Sequence, residues 1–212
     1  MAALTDISSE RTDGAANGDG VDDAMARARK AMIDSQLRTS GVNAPFVLAR
    51  MNAVHRERYV PGEFASVAYT DRSIPVGEGA RLAAPLFYGK LLEEAAPRLD
   101  DEVLIVSPAP GYLSELVQPL VKSVDTMDAE TAMKGGEGSF SLILIDGVAE
   151  HVPAELATML REDGRAVLGT AENGVTRLTS ARRSGDRWAM LPLAELGIPR
   201  LSAFDEPQRW QF

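Results

Sequence analysis

At 212 residues, with 45% apolar and 25% charged residues, the chain has material for one domain with a sizeable core plus extensions. A net charge of −9 and a pI near 4.8 argue against a phosphate-tracking nucleic-acid binder and against a protein held on anionic lipid. The absence of cysteine excludes disulfides, zinc–thiolate sites and a thiol nucleophile.

Residues 1–21 are rich in Ala, Gly, Asp and Ser without an apolar period, which predicts a disordered lead. They lack the basic start and apolar core of a signal peptide, and no apolar run could span a bilayer, so a cytoplasmic protein is expected. Asp22 or Asp23 can cap a helix running to Leu37 and stopped near Gly41. A second helix follows from about Ala44, with Phe46, Val47, Met51 and Val54 at helical spacing, until Tyr59-Val-Pro-Gly62 breaks it. A glycine-bearing loop then leads to Pro85, and the stretch from Leu86 to about Ala96 is amphipathic.

Strand patterns recur at Val103–Val106, Ser123–Met127, Leu142–Ile145 and Ala166–Leu168, with helical patterns between most of them, including Pro153 to Leu160. That alternation predicts an α/β fold whose sheet is mostly parallel and covered on both faces. Val175–Arg183 and Arg187–Leu193, joined by Ser184-Gly-Asp186, predict a terminal antiparallel hairpin. The C-terminal Trp210 and Phe212 are expected to dock on the domain, so that Trp210→Ala lowers the melting temperature. His55 and His151, the only histidines, have no acid–nucleophile pattern nearby and are read as structural or solvated; no metal-ligand spacing stands out.

The run Val103-Leu-Ile-Val-Ser-Pro-Ala-Pro-Gly-Tyr112 has the form of a strand, a turn and a helix start, the place where a nucleotide-type cofactor sits. Together with Gln36-Leu-Arg-Thr-Ser-Gly-Val42, Arg58-Tyr-Val-Pro61 and Ala68-Tyr-Thr-Asp-Arg-Ser-Ile-Pro-Val-Gly77, in this order and spacing, it resembles the protein-L-isoaspartate O-methyltransferases. The resemblance implies a doubly wound, Rossmann-like class I methyltransferase sheet over residues 79–212, with an antiparallel end. It implies an N-terminal helical segment over residues 22–78. It also implies S-adenosylmethionine as cofactor and an isoaspartyl residue in a protein or peptide as substrate. An ionised carboxylate is already a nucleophile, so the chemistry is mainly one of positioning and exclusion of water.

Carried across residue by residue, the resemblance assigns cofactor-binding places to Gly79, Gly111 and Asp128; Asp146 is a fourth candidate from its place after the strand Leu142–Ile145, at the carboxyl end of the sheet, where the family pattern has no acid. The family loop Gly-x-x-Ile-Ser-Gln-Pro stands here as Gly79-Ala-Arg-Leu-Ala-Ala-Pro85, with Ala83 in the serine place and Ala84 in the glutamine place; alanine offers neither donor nor acceptor. In the cofactor strand Ile105 replaces an acid, Ser107 and Ala109 replace glycines, and Pro110 takes a position compatible with a helix start. Asp128 matches the acid that bonds ribose hydroxyls, or serves as a solvated loop carboxylate. Asp146 either marks a changed ligand or caps its loop with Gly147. Residues 129–139 hold three glycines and are too few for a helix and strand, which together average roughly 17 residues, so one strand–helix unit is expected to be missing.

Two functions stay open: a working carboxyl methyltransferase, and a non-catalytic relative that keeps the fold as a binding or regulatory module. An open crevice around Gly111, Asp128 and Asp146 favours the first; one filled by Pro108, Met127 or Met133 favours the second. A dinucleotide dehydrogenase is weak, since no Gly-x-Gly-x-x-Gly follows the strand. Oligomeric state is not legible.

Overall fold

The computed structural model describes residues 15–108, 111–136, 138–185 and 187–205. The expected lead falls largely outside them, as do Ala109, Pro110 and Trp210 and the expectations placed on them. Helix α1 runs Ala15–Met32, so it begins before the aspartates expected to cap it; Asp23 instead pairs with Arg27 one turn on. A π-helical turn, Ile33–Leu37, continues it. Helix α2, Pro45–Ala53, opens on a proline, whose fixed φ suits a first turn.

A short antiparallel hairpin follows, β1 Ile74–Gly77 and β2 Ala80–Leu82, where the sequence pattern suggested only a loop. Its turn holds Gly77, Glu78 and Gly79 at φ values of 107°, 48° and 76°. Two glycines ease that backbone; Glu78 takes it despite its Cβ. Helix α3, Pro85–Ala95, ends on Ala96 in the left-handed region.

The central sheet has the order β4-β3-β5-β6-β7-β8, where β3 is Glu102–Val106, β4 Ser123–Met127, β5 Phe140–Ala149, β6 Leu160–Glu172, β7 Val175–Ser184 and β8 Arg187–Glu195. The pairs β4–β3, β3–β5 and β5–β6 are parallel, and β6–β7–β8 is an antiparallel meander. Helix α4 covers Tyr112–Val117 and stops before the turn that contains Pro119. Among the described residues the four-residue α5, Ala129–Ala132, is the one helix between β4 and β5, with α6, Ala154–Thr158, after them. The strand–helix unit expected to be missing is absent among the described residues: β4 is the edge of the sheet, and its residues are exposed or half-buried.

Alternate side chains of the buried strands feed two apolar layers. Val103, Ile105, Leu142, Leu144 and Val167 pack with α1–α4, while Leu104, Val106, Ile143, Ile145 and Leu168 pack toward α5, α6 and Phe204. No helix among the described residues is long and apolar enough to cross a membrane.

Candidate functional site

Open α/β sheets bind ligands beyond the carboxyl ends of their strands. Here a cleft of about 730 Å³ lies there, with Tyr59, Val76, Gly79, Pro108 and Leu201 in its walls. One wall is the β1–β2 hairpin. The other, Pro199–Ser202, is built by a close approach to β5. Val148 N–H donates to the Pro199 carbonyl at 2.8 Å and Leu201 N–H to the Val148 carbonyl at 3.0 Å. Gly147, at φ 151°, makes this possible, since a Cβ there would stand 2.8 Å from Leu201 Cγ and 3.0 Å from the Pro199 oxygen.

Of the residues assigned to the cofactor, Gly79 lines the cleft, whereas Gly111, Asp128 and Asp146 are not among its lining residues. Gly111 precedes α4 at φ 132°, and a Cβ on it would meet Tyr59 Cε1 at 2.8 Å. The ring beside this glycine is therefore Tyr59, not Pro108, Met127 or Met133. Tyr59 also packs edge-on to Tyr112, centroids 5.4 Å apart, an arrangement that contributes about 0.5–1.5 kcal/mol beyond its area.

Asp128 is exposed and caps α5. Its Oδ1 accepts the Thr131 N–H at 2.7 Å and its Oδ2 the Thr131 hydroxyl at 3.0 Å. Those two bonds hold the Asp128 carboxyl below its ordinary pKa.

Asp146 lies within β5, which runs on to Ala149 rather than stopping at Ile145, and so it is not a loop cap. It is buried, and Oδ2 accepts the Ser107 hydroxyl at 2.9 Å. Burial pushes its pKa up to about 6, with the Tyr88 and Ser107 hydroxyls and the Arg56 guanidinium pulling the other way. Its Oδ1 has no hydrogen-bond partner.

Arg56 was not singled out by sequence, yet it is fully buried. Its Nε donates to the Ala68 carbonyl at 2.7 Å and its Nη2 to the Ala83 carbonyl at 2.5 Å. The guanidinium faces the Tyr88 and Tyr112 rings at 5.6 and 5.2 Å, a cation–π arrangement that favours arginine over lysine. Ala83, standing in the family serine place, is itself buried; besides its carbonyl on Arg56, its N–H donates to the Tyr88 hydroxyl at 3.3 Å. Burial, foremost, raises the Tyr88 and Tyr112 hydroxyls above their ordinary pKa.

His55 lies 3.3 Å from Glu57, which also takes the Tyr69 hydroxyl, and His151 is exposed; neither lines the cleft. The signal that could have marked Arg56 is slight, since it sits in a short stretch between helix signals; Tyr59 lies in the Arg58-Tyr-Val-Pro61 motif, but its place beside Gly111 arises from tertiary approach.

The sheet, its two helical layers and the cleft at the strand ends define a Rossmann-like methyltransferase architecture. The family model for Protein-L-isoaspartate(D-aspartate) O-methyltransferase (PCMT) matches residues 27–132, half of the chain. The chain belongs to this family. It is 27% identical over 192 residues to the protein-L-isoaspartate O-methyltransferase of Aliivibrio salmonicida, covering 77% of this chain and 91% of that one. It is 28% identical over 189 residues to that of Methylorubrum extorquens, covering 77% and 83%. The fold also matches a solved Plasmodium falciparum protein, described as a protein-L-isoaspartate O-methyltransferase in complex with S-adenosyl-L-homocysteine. There the TM-score is 0.66 at 15% identity, over 84% of this chain and 97% of that one.

Three of the candidate positions at the strand ends are engaged by neighbouring side chains. Tyr59 stands beside Gly111, Ser107 is bonded to Asp146, and Asp128 is bonded to Thr131.

Proposed function

We propose that this protein works as a protein-L-isoaspartate O-methyltransferase-like protein that receives isoaspartyl-bearing protein segments in the cleft at the carboxyl end of its sheet. The observation that carries this reading is the cleft itself, whose volume falls within the roughly 300–1,000 Å³ of small-ligand sites and whose walls include the family loop at Gly79. S-adenosylmethionine is the family's methyl donor and enters this reading only with Tyr59 displaced from Gly111. The chain's own contribution is positional: the hairpin and Pro199–Ser202 hold the polypeptide, and no side chain is needed as a base.

A second reading, a non-catalytic binding module, is favoured by the same Tyr59 contact and by the loss of polar groups at Ala83 and Ala84. Calorimetric titration with S-adenosylhomocysteine, for the natural chain and for Tyr59→Ala, separates the two. The methyltransferase reading expects tighter binding by Tyr59→Ala and methyl incorporation into an isoaspartyl peptide. No heat from either protein at millimolar ligand, with no methyl incorporation, would leave the binding module.

A further inference from the structure

Three arginines line the cleft in a protein whose net charge is −9: Arg58, Arg81 on β2, and Arg200. Glu78 is the acid among the described lining residues. The three guanidinium groups are held differently. Arg200 pairs with Glu150 and Asp205, which offset its charge. Arg81 is fixed on the hairpin, Nε donating to Ser73 Oγ at 3.0 Å and Nη2 to the Ser73 carbonyl at 2.9 Å, with no carboxylate within ion-pair distance among the described residues. The Arg58 guanidinium has neither a hydrogen-bond nor an ion-pair partner among the described residues, and the side chain is exposed.

Two uncompensated guanidinium groups facing one acid make this cleft locally cationic, and low-dielectric walls concentrate such a field. Its form suits a polypeptide better than a small phosphate. A phosphate cradle gathers backbone N–H groups at one point. Here the charges come from separate segments of the chain, with the apolar Val60, Val76 and Leu201 between them. Guanidinium forks match carboxylates in particular.

We infer that the cleft is a docking site for acidic polypeptide segments, with Arg58 and Arg81 taking their carboxylates. The inference rests on the proposed function only in placing an isoaspartyl residue within such a segment; it therefore assigns this protein a preference for damaged sites flanked by Asp or Glu.

The test is fluorescence anisotropy with three rhodamine-labelled nonapeptides: isoaspartyl with glutamate flanks, isoaspartyl with lysine flanks, and aspartyl with glutamate flanks. The glutamate-flanked isoaspartyl peptide is expected to bind about tenfold or more tightly than the lysine-flanked one at low salt, and less so as salt rises. Arg58→Gln should weaken it by roughly three- to tenfold with an unchanged melting temperature, as expected for an exposed, unpaired side chain. Equal binding of the two isoaspartyl peptides, no binding of any peptide, or no effect of Arg58→Gln would overturn the inference. If the glutamate-flanked aspartyl peptide binds as well as its isoaspartyl counterpart, the docking site stands and the isoaspartyl reading falls. Indifference to flanking charge with retained isoaspartyl preference gives the reverse.

Discussion

Asp146 has 4% of its surface exposed and an oxygen without a hydrogen bond, so its charge is poorly accommodated. Its folded pKa, about 6, lies above the ordinary 3.8, so the folded state holds its proton more tightly than the unfolded one. The stability this group contributes is complete below about pH 4 and is lost as pH rises through about 6. Asp146→Asn is therefore expected to raise stability at pH 7.5 by on the order of 2 kcal/mol, the gain vanishing near pH 4. Urea unfolding at both pH values checks this, and an equal effect at each would contradict it. Arg56→Met is expected to cost about 3 kcal/mol, because the Ala68 and Ala83 carbonyls lose their donors in a buried place. Denaturant melts read that loss directly, and a change below about 0.5 kcal/mol would leave the buried arginine without the role given to it. At this scale the sequence was only partly informative. Ala83, Ile105 and Ser107 could be recognised as replacements from their places in a pattern, but that Ser107 had found Asp146, 39 residues away, is a fact of packing.

The opposite end of the sheet from the cleft is held by another carboxylate. Asp101, just before β3, accepts both Arg165 Nη2 at 2.7 Å and Arg165 Nη1 at 3.2 Å, while Ser141 Oγ and Arg98 N–H each donate to it at 2.7 Å. Arg165, on β6, also donates to the Ala95 and Ala96 carbonyls and so finishes α3. One side chain thus joins a helix end to two strands. Burial alone would raise Asp101, but the bonds from Arg165, Ser141 and the Arg98 N–H outweigh it and hold the carboxyl below its ordinary pKa. Its contribution is present above the unfolded value near 4 and is lost as pH falls through the lower folded one. Arg165→Ala should cost about 3 kcal/mol at neutral pH, and thermal melts should show that deficit shrinking under strong acid. The elements themselves were largely legible. Ser123–Met127 and the β7–β8 hairpin follow from alternation and turn residues. The β1–β2 hairpin was hidden by Pro75 and its glycine turn, and the early part of β6 by the polar Arg161-Glu-Asp-Gly164. The start of α1 was hidden by glycines at 18 and 20 that propensity assigns to a loop.

Across the whole molecule, both sheet edges are open among the described residues, and they differ in kind. The β4 edge is short and carries Asp125, with Lys122 just before it, features that discourage pairing with another strand. The β8 edge shows Met190, Leu191 and Leu193 to solvent, with Pro192 among them. Leu191, 63% exposed, makes little of the core, so Leu191→Lys should leave stability within about 0.5 kcal/mol. A larger loss in a thermal melt would show that the residue is buried in solution. The ring over Gly111 has the broadest consequence. If the proposed methyl donor enters beside Gly111, the Tyr59 ring is a competitor that the protein carries on its own backbone. The apparent affinity of such a donor would be scaled down by the fraction of chains in which the ring has swung aside. Tightness of the fold and occupancy by a visitor are then coupled with opposite sign, so a change that loosens Tyr59 gives up some stability and gains affinity.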